Sequence, residues 1–199
     1  MQKAVGPQGR VFAFEPQPEL AAYLRSVSAA SRHKNLTVTE AALSAAPGSL
    51  QLFRPTSSPS PSASLERFKC DEQGESIPVR VESLDHFFGA VPSRPIHFIK
   101  CDVEGHELDV FRGAEQILRT DHPILLFECE ARHHADSSIQ EVFDFLHGLG
   151  YEGSFFRHGV ETPLAELTTQ DQAAPQSPGY VNNFAFKPAT AAGAKRQSA

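Results

Sequence analysis

Short apolar runs alternate along the chain with segments in which apolar residues recur at helical spacing. The apolar runs predict strands at residues 10–15, 36–43, 49–53, 77–84, 96–102, 123–130, 151–156 and 180–186. The runs at 10–15 and 96–102 are typical of strands buried on both faces, whereas 77–84 alternates like a half-exposed strand. Strands that alternate with helices predict an α/β fold whose mostly parallel sheet is covered on both faces.

Helical spacing predicts helices between these strands. The first begins near Glu19 and places four apolar residues on one face: Leu20, Tyr23, Leu24 and Val27. A second, single helix begins at Gly105. A third begins after Ser138, which can form a capping box with Glu141, and it ends where Gly150 can adopt the left-handed conformation.

Two segments have compositions that favour no regular structure. Residues 55–64 read PTSSPSPSAS, and repeated proline sustains neither a helix nor an interior strand. The residues after Pro188 are small and polar, which predicts a disordered tail. We therefore expect one folded domain over residues 1–187 and a tail over residues 188–199.

Charge and cysteine content narrow the class of protein. The 199 residues carry a net charge of −6, and their lysines and arginines form no basic run, which argues against nucleic acid or an anionic membrane as a partner. No apolar run is long enough to predict a membrane span. The three cysteines are far apart in sequence and form no disulfide framework, so we expect a reducing, cytoplasmic setting.

Acidic residues end three of the predicted strands, at Glu15, Asp102 and Glu128. In parallel α/β sheets, ligands bind at the carboxyl ends of the strands, so we expect these acids to converge on one edge. The two oxygens of Glu15 match the vicinal hydroxyls of a ribose. The alternative is that Glu15 is a solvated strand end or caps the following helix.

The segment from Asp102 to Glu107, DVEGHE, is the densest group of candidate functional residues. Its acids lie at a strand-to-helix turn, where they could serve chemistry or simply cap the helix and complement its dipole. Lys100 lies two residues before Asp102, so the two can pair on one face of the strand. His106 could act as a general base or be a packing residue.

A second group of polar residues follows the strand at 123–130 and consists of Cys129, Glu130, His133 and His134. It lacks the paired spacing of zinc sites, and we expect no metal there. The chain also lacks a nucleophile elbow, a P-loop and a G-x-G-x-x-G loop.

Three ordered segments resemble the FkbM family of methyltransferases. They are residues 6–16, which contain GPQGRV and AFEP, residues 99–107, which read IKCDVEGHE, and residues 123–128, which read PILLFE. Shorter similarities surround Ala42, Ser83 and Asn182. The resemblance extends from about residue 6 to about residue 187.

The resemblance implies a Rossmann-like class I methyltransferase sheet, mostly parallel with an antiparallel last strand, that binds S-adenosylmethionine. It implies that Glu15 holds the cofactor's ribose, with Pro16 beside it, and that residues around Ala42 line the adenine. Asp102 would lie near the methionine portion and the transferring methyl. Glu104, His106 and Glu128 would face the acceptor, which in this family is a hydroxyl of a sugar, glycolipid or polyketide-like product.

The chain departs from the family pattern at its beginning. The family has a glycine-rich loop after a first strand, and neither has a counterpart before Gly6, so we expect both to be missing. Without them the sheet would lack a central strand and the cofactor's carboxylate would lose its cradle. Two alternatives stay open: an inactive α/β remnant that binds a partner, and a nicotinamide-dependent oxidoreductase, which also uses an acid on ribose.

Overall fold

The computed structural model describes residues 1–32, 34–55, 65, 74–91, 93–133 and 138–189. The chain divides into two compact units. The first contains residues 1–93 together with 112–114, and the second contains residues 94–111 together with 115–199.

The first unit begins with a parallel pair of strands. β1 (Val11–Phe14) pairs with β2 (Leu36–Thr39), and helix α1 (Pro18–Ala30) connects them. Pro18 starts the helix, as its fixed φ favours. The predicted apolar face of α1 is wrong in part: Tyr23 is 64% exposed and the fully buried residue is Ala21.

A three-stranded sheet and a short helix complete the first unit. β5 (Gly74–Glu82) lies between β3 (Ala42–Leu43), to which it is parallel, and β4 (Gly48–Pro55), to which it is antiparallel. Helix α2 (Leu84–Ala90) follows, and the hydroxyl of Ser83 caps it by accepting a hydrogen bond from the backbone N–H of residue 86.

The strand predicted at 36–43 is therefore two strands that belong to different sheets. Residues 36–39 pair with β1, whereas Ala42 and Leu43 pair with β5. A continuous apolar run carries no information about which strand each part will pair with. Helix α2 was not predicted, because it begins at Leu84, inside the run expected to form a strand, and its seven residues are too few for a sustained helical pattern.

The second unit is built on one five-stranded sheet. Its strands are β6 (Phe98–Cys101), β7 (Ile124–Glu128), β8 (Tyr151–Arg157), β9 (Val160–Pro163) and β10 (Asn183–Pro188), in the order β6-β7-β10-β8-β9. β6 and β7 are parallel, and the other pairs are antiparallel. The prediction of an antiparallel last strand is confirmed.

Three helices pack with this sheet: α3 (Glu107–Arg112), α4 (Glu115–Asp121) and α5 (Ile139–Gly148). The single helix expected from Gly105 is broken around Gly113. The hydroxyl of Ser138 caps α5 by accepting a hydrogen bond from the N–H of Gln140. The start of this helix was predicted, but the capping partner was expected to be Glu141. Gly150 has φ +84°, which confirms the left-handed helix end.

Phenylalanines form the core of the second unit. The fully buried rings are Phe111, Phe127, Phe143, Phe155, Phe184 and Phe186. The ring of Phe127 lies centrally, with its centroid 5.1 Å from Phe111, 5.9 Å from Phe184 and 5.5 Å from Phe186. The strand residues Phe127, Phe155 and Phe184 are paired neighbours, so their rings lie on one face of the sheet, and Phe186 lies two residues further along the same strand. Helices α3 and α5 supply Phe111 and Phe143.

Two expectations about the sheets are wrong. The described strands form three separate sheets, not one mostly parallel sheet. β6 is an edge strand in which Phe98 is 46% exposed, and β1 is only half-buried, so neither strand is buried on both faces. An apolar run indicates that a strand favours burial, but whether both of its faces are buried depends on the elements that pack against it from elsewhere in the chain.

Other predictions lie outside the described residues. Pro55 ends β4, and residues 56–64 of the expected irregular segment are not described. The same holds for residues 190–199 of the expected tail, and for Cys70 and His134.

Replacing Gly113 with alanine should destabilise the first unit by about 1–3 kcal/mol. A Cβ atom at this position would overlap the carbonyl oxygen of Ser44 and lie 3.0 Å from Cβ of Ser83. The carbonyl of Gly113 also accepts a hydrogen bond of 2.8 Å from the N–H of Asp85, which restricts any shift. Urea unfolding measures the change.

The matched control is Gly89→Ala, because a Cβ there meets nothing within 4 Å. Gly89 lies inside α2, so alanine should add about 0.5–1 kcal/mol of stability through helix propensity. Equal effects of the two substitutions would contradict the close approach at Gly113.

Candidate active site

Six polar side chains line a cleft at the carboxyl ends of β6 and β7. They are Asp102, Glu104, Glu107, Glu128, Glu130 and His133, and we call this group the acidic cleft. The two strands are parallel, so the residues that follow them meet at one edge of the sheet. This confirms the expected convergence for Asp102 and Glu128.

Lys100 connects the two strand ends. Its Nζ lies 2.8 Å from Oδ2 of Asp102, which confirms the predicted pair, and 4.0 Å from Oε1 of Glu128. Burial, followed by the negative charge of Asp102, raises the pKa of Glu128 despite this lysine. The side-chain amide of Asn182 donates a hydrogen bond of 3.2 Å to Oε2 of Glu128.

The turn after β6 places Glu104 in the cleft. Glu104 and Gly105 have φ of +52° and +95°, so two successive residues are left-handed. Glycine adopts this conformation freely, whereas at Glu104 it costs roughly 1–2 kcal/mol. The N–H of Gly105 donates to Oε1 of Glu107 at 2.8 Å, and Glu107 is buried. Glu107 therefore has a structural role in the turn, as the helix-capping interpretation of this segment predicts.

Glu130 is fixed by two residues that the sequence did not identify. Arg132 donates to its oxygens at 2.7 and 3.0 Å, and the hydroxyl of Tyr180 also donates to Oε2. Burial alone would raise the pKa of Glu130, but these hydrogen bonds outweigh it and lower the pKa. Tyr180 lies 50 residues further along the chain, and no spacing pattern connects the two.

A single glutamine anchors the segment that carries Tyr180 and Asn182. The amide of Gln172 donates to the carbonyl of Cys129 at 2.7 Å and to that of Val181 at 2.9 Å. The N–H of Val181 in turn donates to the carbonyl of Asp171. The partners of Glu128 and Glu130 are thereby held in place before any ligand binds.

His133 lies in a 3₁₀ turn (Ala131–His133) and closes the cleft. Its Nδ1 is 2.8 Å from Oε2 of Glu104. Ligand atoms of Glu104, Glu130 and His133 all lie within 4.8 Å of one another, so these three side chains can approach a common ion. Cys129, which the sequence grouped with them, is not in this cluster and is buried.

His106 does not line the cleft. It is 8% exposed at the start of α3, and its Nδ1 lies 3.8 Å from Oδ2 of Asp109. The structure therefore brings together Asp102 and Glu104 of the predicted catalytic residues, and it favours a packing role for His106.

The predicted cofactor residues Glu15, Pro16 and Ala42 belong to the first unit. Glu15 directly follows β1, and its Oε1 accepts a hydrogen bond of 2.9 Å from the N–H of Gln17. Burial raises the pKa of Glu15, although the hydrogen bonds from Gln17 oppose this. Pro16 is half-buried, and Ala42 belongs to the core cluster of the three-stranded sheet.

The chain is thus an α/β protein whose titratable residues gather in a cleft at the carboxyl ends of two strands, which is where α/β proteins bind ligands. The family model described as the methyltransferase FkbM domain matches residues 1–152, and the chain belongs to the FkbM methyltransferase family. The resemblance seen in the sequence is confirmed.

The fold is similar to that in the crystal structure of methyltransferase FkbM from Methylobacillus flagellatus KT. The TM-score is 0.52 at 16% sequence identity, and the match covers 89% of this chain and 36% of that chain. This chain therefore spans just over a third of the length of that protein. No curated protein matches. Across the described residues, no helix combines the length and hydrophobicity that a bilayer span requires.

Proposed function

We propose that this protein is an S-adenosylmethionine-dependent methyltransferase that acts on a hydroxyl oxygen of a sugar, glycolipid or polyketide-like acceptor. The observation that carries the proposal is the acidic cleft at the ends of β6 and β7 in a chain of the FkbM family. The Rossmann-like sheet stays a prediction from the family resemblance.

The charge of the cleft fits a cationic cofactor. Five carboxylates line it, and Lys100 and Arg132 are the basic side chains that pair with them. S-adenosylmethionine supplies a methyl group on a positively charged sulfonium, which a negative field attracts. Asp102 is the accessible acid for this role, since its side chain is 46% exposed.

Glu15 is proposed to hold the cofactor's ribose, with Pro16 and Ala42 assisting from the first unit. The carboxylate is already oriented by Gln17, and it offers about four lone-pair positions, so ribose hydroxyls can add to those bonds. Because Ala42 is 5% exposed, its contribution to an adenine site is through its backbone.

Within the second unit, Asp102 is proposed to face the transferring methyl and to accept the acceptor's hydroxyl proton. Glu104 is proposed to position the acceptor. The main task of such a site is to align an oxygen with the donor, because the sulfonium is intrinsically reactive. The buried His106 is proposed to support the turn that carries these acids. Among the described residues, Cys101 and Cys129 are buried and form no disulfide, which supports the proposed cytoplasmic location.

Titration calorimetry of the purified chain with S-adenosylmethionine tests the proposal. We expect binding, and we expect Glu15→Gln to weaken it about 10- to 100-fold, because a hydrogen bond to a charged group contributes about 1.5–3 kcal/mol.

The control for this titration is Glu152→Gln, which removes an exposed carboxylate from β8 and should leave the affinity unchanged. Absence of binding by the wild-type chain would contradict the proposal that these 199 residues bind the cofactor. Equal weakening by both variants would exclude the role of Glu15.

A further inference from the structure

We infer that Glu104, Glu130 and His133 form a binding site for a divalent transition-metal ion such as Mn²⁺. The three side chains come from different segments: the turn after β6, the residue pair after β7, and the 3₁₀ turn that follows. One imidazole and two carboxylates thus meet at the same edge of the five-stranded sheet.

The spacing of the ligand atoms allows one ion to be shared after side-chain rotation. The atoms lie within 4.8 Å of one another. Metal bonds to these groups are about 2.0–2.2 Å, so ligand atoms around one ion lie roughly 3–4.4 Å apart. Rotation about the side-chain torsions brings the three atoms into this range.

Arg132 and Tyr180 leave Glu130 able to bind metal. They use three of the roughly four lone-pair positions of the carboxylate, so one position is left for an ion. Hydrogen bonds of this kind orient metal ligands in many proteins. The Nδ1 of His133 already faces Oε2 of Glu104 at 2.8 Å, so an ion that replaces this contact meets both side chains.

The surroundings favour a cation over a neutral occupant. Asp102, Glu107 and Glu128 line the same cleft, which therefore contains five carboxylates. The basic side chains that pair with them are Lys100 and Arg132, so carboxylates outnumber basic groups there. An ion can enter this cleft by replacing the contact between Glu104 and His133.

The ligand set selects the class of ion. Carboxylates suit Mg²⁺, Ca²⁺ and Mn²⁺, whereas imidazole suits transition metals, so the mixed set favours Mn²⁺ or Zn²⁺ over Mg²⁺ and Ca²⁺. An ion here would make a neighbouring acceptor hydroxyl more acidic. That role rests on the proposed function, whereas ion binding itself does not.

Electron paramagnetic resonance of the 199-residue chain, stripped with chelator and titrated with MnCl₂, tests the site without any methyl donor. Binding removes the six-line signal of free Mn²⁺. We expect one site, with pulsed measurements that detect ¹⁴N coupling from the His133 imidazole. His133→Gln should abolish the ¹⁴N coupling, and both His133→Gln and Glu104→Gln should weaken binding at least tenfold.

Asp102→Asn is the matched control, because it removes one charge from the same cleft without removing a ligand. It should weaken binding less than about fivefold, which is the effect of one charge in a solvated site. No loss of free Mn²⁺ signal, ¹⁴N coupling that persists in His133→Gln, or an equal effect of all three variants would overturn the metal site. Since no methyl donor is present, none of these outcomes depends on methyl transfer.

Discussion

Replacing Phe127 with alanine should lower the free energy of unfolding by about 3–5 kcal/mol. Phe127 is fully buried in β7 and contacts the rings of Phe111, Phe184 and Phe186. The substitution removes apolar contact area and leaves a cavity among large, rigid rings that cannot fill it by a small shift. Denaturant unfolding followed by circular dichroism measures the loss.

Phe98→Ala provides the control for Phe127→Ala, because it removes the same side chain from the neighbouring strand of the same sheet. Phe98 is 46% exposed, so its replacement should change stability by no more than about 1 kcal/mol. Similar losses in the two variants would show that the phenylalanine cluster does not form the core.

Replacing Asp102 with asparagine should reduce methyl transfer by about 10²–10⁴-fold while leaving the fold intact. The substitution keeps the shape of the side chain but removes the charge proposed to accept a proton near the methyl group. The pair with Lys100 is solvent-exposed, and such pairs contribute at most about 1 kcal/mol to stability. Release of S-adenosylhomocysteine, measured with a panel of hydroxyl-bearing acceptors, gives the rate.

The control for Asp102→Asn is Glu115→Gln. Glu115 is 45% exposed against 46% for Asp102, and it also pairs with a basic residue, Arg119, at 2.8 Å. It lies on α4 and does not line the acidic cleft, so transfer should be unchanged. Wild-type rates in Asp102→Asn would contradict the proposed role of this acid.

Local patterns predicted most of the secondary structure but little of its pairing. The strand at residues 123–130 was found because β7 is strongly apolar, and Gly150 was found because helix ends require a left-handed residue. The division of residues 36–43 between two sheets was not predictable, because the partners of β2 and β3 lie in separate parts of the chain. Strand direction is likewise set by tertiary contacts rather than by apolar runs.

Only the part of the acidic cleft that follows from strand topology could be predicted from the sequence. Asp102 and Glu128 follow neighbouring parallel strands, so a rule about strand ends brings them together. Glu130 was considered only as a residue of an unpromising metal motif, because its spacing from His133 matches no zinc pattern. The third residue of that cluster is Glu104, which follows a different strand. Tyr180 and Asn182 contact Glu130 and Glu128 over separations of 50 and 54 residues, which no local pattern predicts.

The segment around Gly113 determines whether the two units can be expressed as separate fragments. The chain passes between its two units after residues 93, 111 and 114, so a single cut cannot separate them. A fragment that starts at Arg94 would keep residues 112–114 but lose Asp85, whose N–H is bonded to the carbonyl of Gly113. If the chain were divided after residue 93, the C-terminal fragment would carry residues 112–114, which belong to the first unit. The two fragments would therefore have to be co-expressed for the first unit to be complete.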